Sequence, residues 1–490
     1  MTTSRRKTPQ MHRQQQIIKR LERRFNHRTH TITNPLVQLN PYHNAPLTAL
    51  ILFTTSKPAH VSVTIDGENP ITKTYPGYHT IHRLPIIGLY PNTKNRITVT
   101  ATFHSGTYET NTIFLKTKSL PKDFLNIKLD HSLPEKMEDG LTFIVPSANY
   151  LFAIDNQAKV RWYSTLNIRQ LFKPLSNGNF LVYTRSPKTQ HNLILEIDLL
   201  GKIYYYYPIY AKSEIPTTAI NTDVMELSNG NLLVTTHEQT ENSLEDRLVE
   251  LNRRTGKVIN RLDYASLFPK AFQENYVGIG SEVGDWLHNN SIWLDTQSDS
   301  VVMTARHQDL VMKHSFPDGN IDWILSSPEG WPDDYQDVLL TPKGQNFKYP
   351  AGPHAVMALA DQDGNAETLD IMLFDNNNRI TRGDETVSQQ YSRAVQYRIN
   401  EKEKTVEEVW TYGEERGQAF FSPIVGDADL LPQTNNRLVT SGFIKKGNGR
   451  ASKIVEVAGD SPQEEVFEVT ISGFAPDSKQ HIYRAGRMEI

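Results

Sequence analysis

Two histidines and an arginine carry the most pointed chemistry in this chain. His288 stands in Asp285-Trp286-Leu287-His288-Asn289-Asn290, Arg306 in Thr304-Ala305-Arg306-His307-Gln308, and His354 in Gly352-Pro353-His354-Ala355. Each histidine opens a segment that reads as a β-hairpin, and Arg306 closes the hairpin that His288 opens. At the inner ends of neighbouring sheets, two imidazoles and a guanidinium would converge on one channel. A neutral imidazole is a nucleophile, and a fixed guanidinium stabilises charge on a group in transit. The set therefore predicts transfer of an anionic group through a histidine. The competing chemistry is a zinc site, for which His288, His354 and Asp375 offer nitrogen and oxygen ligands. Arg306 in the same place favours an anion over a cation.

The elements that must position these side chains form a repeat over residues 130–490. Its unit is a strand, a short polar turn often carrying Gly, and a second strand, as in Leu193–Asp198, Gly201 and Ile203-Tyr204. A second hairpin type precedes it, seen in Leu175-Ser-Asn-Gly-Asn179 and Leu227-Ser-Asn-Gly-Asn231. Asn-Gly there predicts a type I′ turn. Two hairpins per unit, in six units, predict an all-β chain built on a six-bladed β-propeller. Aligning the inner hairpins places Thr222 or Asp223, His288 and His354 at equivalent strand starts. It places His237, Arg306 and Asp375 at equivalent strand ends, where Asp375 would orient an imidazole. Trp162, Trp323 and Trp410 recur at one repeat position and read as packing between blades.

The remaining chain is less chemical. Residues 31–120 alternate as short strands with turns at Asp66-Gly67 and Pro91-Asn92, which predicts a small β-sandwich-like domain. Residues 1–30 set nine Arg and Lys against the single acid Glu22, with Ile17, Ile18, Leu21 and Phe25 at helical spacing. They read as a helical basic arm packed on its own domain or on a sister subunit. A net charge of −3 gives no general attraction to nucleic acid. The absence of cysteine excludes disulfides, thiol catalysis and thiolate metal sites. No apolar run reaches membrane-spanning length, and the polar start lacks a signal-peptide core, so the expected compartment is cytoplasmic. Asp361-Gln-Asp-Gly-Asn365 resembles part of a calcium loop but has Met372 at the twelfth position, so a hairpin turn is the better reading.

From Asp285 to Phe443 the chain resembles the bacterial arylsulfate sulfotransferases. The matching stretches are Asp285-Trp-x-His-x-Asn290, Arg306-His-Gln308, Trp323-Ile-Leu before Gly330-Trp331, and Phe374-Asp-Asn376. The match continues through Tyr391-Ser-Arg393, Val406-x-x-Val-Trp-x-Tyr-Gly413, Glu415-Arg-Gly417 and Ser422-Pro423. The resemblance implies that His354 is transiently sulfated. It also implies that His288, Asn290 and Arg306 bind the sulfuryl oxygens and handle the phenol proton. The implied reaction moves a sulfuryl group from a phenolic sulfate donor to a phenol acceptor, without a nucleotide donor, metal or other cofactor, in a possible homodimer. One departure stands out: where that family usually has a histidine before the third inner hairpin, this chain has Thr222-Asp223, and His237 is the candidate substitute. The exported compartments, periplasmic or extracellular, stay open by the same resemblance. The alternatives are a propeller that only binds, its catalytic set lost, and a metal-dependent hydrolase on the same histidines.

Overall fold

The computed structural model describes residues 8–26, 28–147, 150–185, 192–208, 212–213, 215–216, 218–239, 244–276, 284–447, 449–459, 464–475 and 478–490. The chain is predominantly β. After the first 120 residues come six sheets in chain order, four of four strands and two of five, antiparallel apart from one short added edge strand. The fourth runs through Asn289–Asp295, Ser300–Ala305, Leu310–Ser315 and Ile321–Leu325. The fifth runs through His354–Ala358, Thr368–Asp375, Arg393–Asn400 and Thr405–Tyr412, with Thr341–Pro342 added at its outer edge. Two sheets borrow from the far end of the chain. Ile482–Met488 supplies the first strand of the sheet holding Leu141–Pro146, and Asn126–Ser132 supplies the last strand of the sheet holding Glu465–Ser472.

The middle strands are buried almost throughout because both of their faces are covered. Ser300–Ala305 is buried at every residue, and Thr368–Asp375 at all but its first. Such strands lose the alternation of a half-exposed sheet and read as continuous apolar runs. The clusters they form lie between consecutive sheets: Val302, Val311 and Trp323 of the fourth pack on Ile371, Val395 and Ile399 of the fifth. Each fully buried side chain of this size contributes about 1.5–3 kcal/mol by leaving water. Trp162, Trp323 and Trp410 are all buried, as the repeat predicts, and the indole N–H of Trp323 donates to Glu401 at 2.7 Å.

The Ser-Asn-Gly-Asn turns differ from the expected type. Gly178 and Gly230 have φ of 79° and 76°, while Asn177 and Asn229 keep negative φ. Leu175 N–H donates to the Asn179 carbonyl and Gly178 N–H to the Leu175 carbonyl. This is a type I turn closed by a glycine bulge, not type I′. The asparagines serve another purpose: Asn177 and Asn179 both donate to Glu196, and Asn229 and Asn231 both donate to Glu250. The repeated motif is an amide clamp on the third strand of its sheet.

In residues 31–120, Leu47–Thr54 and His60–Ile65 are one 18-residue strand, Thr48–Ile65, with a register shift between Thr54 and Ala59. It pairs with Leu36–Leu39, Ile71–Ile87 and Lys94–Phe103, and Tyr108–Lys116 completes a single bent five-stranded sheet. Its core is continuous with the first and last of the six sheets, since Ile51 and Val99 share a cluster with Phe152 and Val469. Arg161 ties the two parts. It is fully buried, stacks 3.8 Å over Tyr90, donates to the Gly88 and Asn69 carbonyls, and pairs with Asp155 at 2.9 Å. The basic arm is a helix, Pro9–Arg24, capped by Thr8. It docks on its own chain through Leu21 and through Gln14, whose amide bonds the Gly201 carbonyl and the Ile203 N–H.

Candidate active site

His288 sits just before the first strand of the fourth sheet with φ of +54°, and Arg306 begins the short 3-10 turn that joins that sheet's second and third strands. The Arg306 N–H donates to the His288 carbonyl, so the two residues face each other across the hairpin end. His354 is the first residue of the fifth sheet. Gly352, two residues earlier, has φ of +66°, and a Cβ there would come within 3.1 Å of the Asn378 carbonyl. Only glycine lets the chain turn so close to that neighbour.

The surroundings of the two histidines set opposite protonation states. His354 is 3% exposed. Its Nδ1 faces two acceptors, the Gly352 carbonyl at 3.0 Å and Asn376 Oδ1 at 2.5 Å. The Asn376 amide cannot turn over, because its Nδ2 donates to the Ser422 and Val425 carbonyls at 2.7 and 3.0 Å. Nδ1 therefore carries the proton, and Nε2 keeps its lone pair. Burial, reinforced by the charges of Arg306 and His288, holds the His354 pKa well below the ordinary histidine value. It is a neutral imidazole with a fixed tautomer.

His288 is partly exposed, and its Nδ1 meets Asp285 Oδ2 at 2.5 Å. Burial pulls its pKa down, but the Asp285 carboxylate outweighs burial and the Arg306 charge, and the net shift is upward. The shift favours the protonated ring, whose second proton lies on the nitrogen that Asp285 leaves unengaged. His307, missing from the sequence-derived set, lies between His288 and Tyr276: its ring stacks on Tyr276 at 5.5 Å and is tilted by 30° from His288 at 4.5 Å. Its Nδ1 bonds the Asp285 carbonyl, so its Nε2 accepts from Arg306 Nη1 at 2.9 Å. His307 thereby anchors the guanidinium without competing for its charge.

The other expected site residues divide. Asn290 donates to the Pro353 carbonyl at 2.9 Å and accepts from Thr304 at 2.6 Å. Its amide links the His288 turn to the His354 turn. Asp375 is a correction: it orients no imidazole. Its Oδ1 accepts from the Ala351 and Asn377 N–H groups, and its Oδ2 pairs with Arg393 at 3.1 Å. Its neighbour Asn376 holds His354, because adjacent residues leaving a strand point opposite ways. His237 lies within electrostatic reach of Asp285 and His288, its Nδ1 buried without a hydrogen-bond partner, and burial lowers its pKa. The Thr222 side chain lies outside the described residues. Asp223 turns toward Arg484 and Lys173.

The internal alignment slips by one residue at the end of the fifth sheet's second strand. Ala305 packs toward the third sheet and Phe374 toward the sixth, so Asp375 is the counterpart of Ala305, and Asn376 rather than Asp375 corresponds to Arg306. The strand starts do not correspond either, since Asn289 pairs with Ala305 whereas His354 pairs with Phe374. The zinc set His288, His354 and Asp375 does not assemble, since Asp375 is held by Arg393 and the backbone. Among the described residues, Asp285, His288 and His307 gather ligand atoms closely enough for a metal. Both histidines, however, already meet Asp285, and Arg306 occupies His307 Nε2. That donor set suits a proton and a guanidinium better than a metal.

Phe420 is fully buried against Phe374 and Tyr412 and cannot stack on a substrate ring. Several other motif residues form a supporting layer. Asp309 Oδ2 accepts from the N–H groups of residues 380–383, while its Oδ1 accepts from Gly352 N–H at 2.7 Å. Ser392 donates to the Asn376 carbonyl, and buried Arg393 pairs with Asp375, Glu408 and Glu414. These residues are polar, buried and distant in sequence from the histidines. Ser392 and Arg393 were signalled only by the Tyr391-Ser-Arg393 stretch of the resemblance, and Asp309 only as a polar residue beside an apolar strand.

Comparison with known proteins agrees with this geometry. Residues 127–484 match the arylsulfotransferase (ASST) family, and residues 36–118 match the arylsulfotransferase Ig-like domain. The chain is 24% identical to the arylsulfate sulfotransferase AssT of Escherichia coli O6:H1 and 23% identical to that of Lelliottia amnigena. In both cases 92% of this chain and 92% of the relative are aligned.

Proposed function

The chain belongs to the arylsulfotransferase family, and from that premise we propose that it transfers a sulfuryl group between phenols through a sulfohistidine at His354. We further read the six sheets as the blades of one six-bladed propeller. Support for that reading comes from the apolar clusters between consecutive sheets and from the interlocking of the chain ends in the first and last of them.

The observation that carries the chemistry is the fixed tautomer of His354 beside Arg306. In the first half-reaction, Nε2 attacks the sulfur of the aryl sulfate. The N–S bond forms as the S–O bond to the phenol breaks, and the departing phenoxide takes the proton of His288. The positive charge that grows on the imidazole is eased by Nδ1–H donation to Asn376 and Gly352. Arg306 meets the charge on the sulfuryl oxygens, which in a loose transition state is spread over all three. In the second half-reaction the acceptor phenol returns its proton to neutral His288, attacks sulfur, and releases His354. The leaving phenoxide has a pKa near 10 by analogy with tyrosine, so a positioned acid matters most for poor leaving groups. Asn290 holds the two turns together, and His237 stands within electrostatic reach of Asp285 and His288. Asp375 has no substrate contact in this reading.

The test is transfer from p-nitrophenyl sulfate to phenol with wild type and His354→Ala, with intact mass measured on donor alone. The expected result is nitrophenol release that depends on phenol and one added sulfuryl group, both absent from the variant. Turnover without an adduct, or an adduct that survives His354→Ala, would overturn the covalent route. Activity abolished by chelator and restored by metal would favour the hydrolase.

A further inference from the structure

The inner strands that bring His288 and His354 to one end of the channel surround a second cavity toward their later residues, with a volume of about 270 Å³. Its walls are apolar, with Phe143, Phe172, Trp293 and Met357 among them, and its charged lining is Lys173, Arg484, Asp427, Asp429 and Arg487, the last already paired with Glu456 at 2.8 Å. The reaction proposed above uses none of these groups.

The charges there do not pair off. Arg484 grips Asp223 through both Nη atoms at 3.2 and 3.1 Å, and Lys173 reaches the same carboxylate at 3.2 Å. Asp223 also accepts the Ile292 N–H. Two cations thus converge on one carboxylate, leaving one positive charge against two further carboxyls. Asp427 is 5% exposed, and among the described residues its carboxyl makes no hydrogen bond or ion pair. The Arg484 Nε beside it is also buried without a partner. Asp429 lies over Gly486, where a Cβ would approach its Oδ2 to 3.7 Å. A buried carboxyl without a partner is costly unless it is neutralised. Here burial, with Asp429 close by, pushes the Asp427 pKa up, and burial likewise raises Asp429, to about 6, against the pull of Lys173 and Arg484.

We propose that this cavity binds a small organic ammonium with an apolar or aromatic body, the ammonium between Asp427 and Asp429 and the body against Trp293 and its apolar neighbours. A primary ammonium brings three donors to acceptors that now lack them, and its charge replaces the proton the pair must otherwise hold. An anion is disfavoured by two additional carboxyls, since Lys173 and Arg484 are already engaged with Asp223. A divalent metal is disfavoured because the aspartate oxygens do not gather closely enough; among the described residues only Asp285, His288 and His307 do.

The test is calorimetric titration of the whole protein with phenethylamine, which has no phenolic hydroxyl, alongside phenethyl alcohol and calcium chloride. Saturable binding of the amine is expected, with proton release detected by comparing buffers of different ionisation enthalpy. Affinity should tighten as pH rises from 5 to 7, by up to about tenfold per unit below the pair's pKa. Asp427→Asn should weaken binding at least about tenfold. Phenethylamine should not compete with p-nitrophenyl sulfate turnover, and Asp427→Asn should keep that turnover. No binding of the amine, binding without proton release, equal binding of the alcohol, binding of calcium alone, or competition with the aryl sulfate would each overturn the assignment. The proton-release comparison uses wild type alone, so it stands even where the variant does not fold. Because binding is read independently of transfer, loss of the sulfotransferase reading would leave this result unaffected.

Discussion

His288 and His354 stand at corresponding turns of adjacent sheets, yet the structure drives their protonation apart. A carboxylate, Asp285, faces Nδ1 of the first, and an amide oxygen, that of Asn376, faces Nδ1 of the second. The carboxylate raises one pKa, whereas burial near Arg306 lowers the other. In the proposed reaction the same side chain serves as acid in one place and nucleophile in the other, because a carboxylate partner raises one pKa while burial beside Arg306 lowers the other. Placing two titratable groups in environments that push their pKa values apart is how one site runs acid and nucleophilic chemistry together at one pH.

The comparison can be broken most severely at His354. His354→Ala should lower transfer by about ten-thousand-fold or more, because nothing else provides the acceptor nitrogen. Asn376→Asp should make the second histidine resemble the first: a carboxylate on Nδ1 favours the imidazolium and removes the Nε2 lone pair. Turnover at pH 7 should fall on the order of a hundredfold, with partial recovery at higher pH, read from a pH–rate profile. An unchanged profile would show that Asn376 does not set the His354 state.

The converse change sharpens the contrast. Asp285→Asn should lower the His288 pKa and slow transfer from poor leaving groups on the order of a hundredfold, with a much smaller effect on p-nitrophenyl sulfate. A steeper dependence of kcat on leaving-group pKa is the readout. In wild type the rate with poor leaving groups should decline once pH passes the raised His288 pKa. His307→Leu should cost about tenfold in kcat through loss of the Arg306 anchor, with His307→Gln restoring part of it. His237→Ala should alter acceptor kinetics severalfold at most, and unchanged donor and acceptor kinetics would remove His237 from the site.

The smallest effect concerns stability. Burial lowers His314 to about 4, and burial with His79 nearby lowers His82 to about 4. Between pH 6.5 and 4 the unfolded chain then binds protons that the folded chain does not, so stability falls as pH falls through that window. For His314 the loss should reach at most about 3 kcal/mol at pH 4, measurable by urea denaturation at stepped pH.

The His354 motif also shows where sequence reading reached and where it stopped. Asp375 and Asn376 were both visible in Phe374-Asp-Asn376, and the choice between them turned on which side of the strand end each residue faces. The one-residue slip of the internal alignment could not be detected from apolar periodicity, because strands buried on both faces show no alternation to fix their phase. In the same way, Ser-Asn-Gly-Asn signals a turn but not its type. The glycine bulge arises where Asn177 and Asn179 reach Glu196 in another strand.

By itself, the sequence determined the all-β repeat, the helical arm, and the identity of the groups able to carry charge or attack sulfur. These follow from local periodicity, turn residues and side-chain chemistry, which are written position by position. Only the tertiary structure decided that Asn376 holds His354, that His307 anchors Arg306, and that Asp427 is buried without a hydrogen-bond or ion-pair partner among the described residues. Each of these depends on atoms brought together from segments 20 to 60 residues apart or more, such as Asn376 on Ser422 and Arg484 on Asp223. A proton's position depends on the field those atoms make in a buried site, and no local pattern encodes that field.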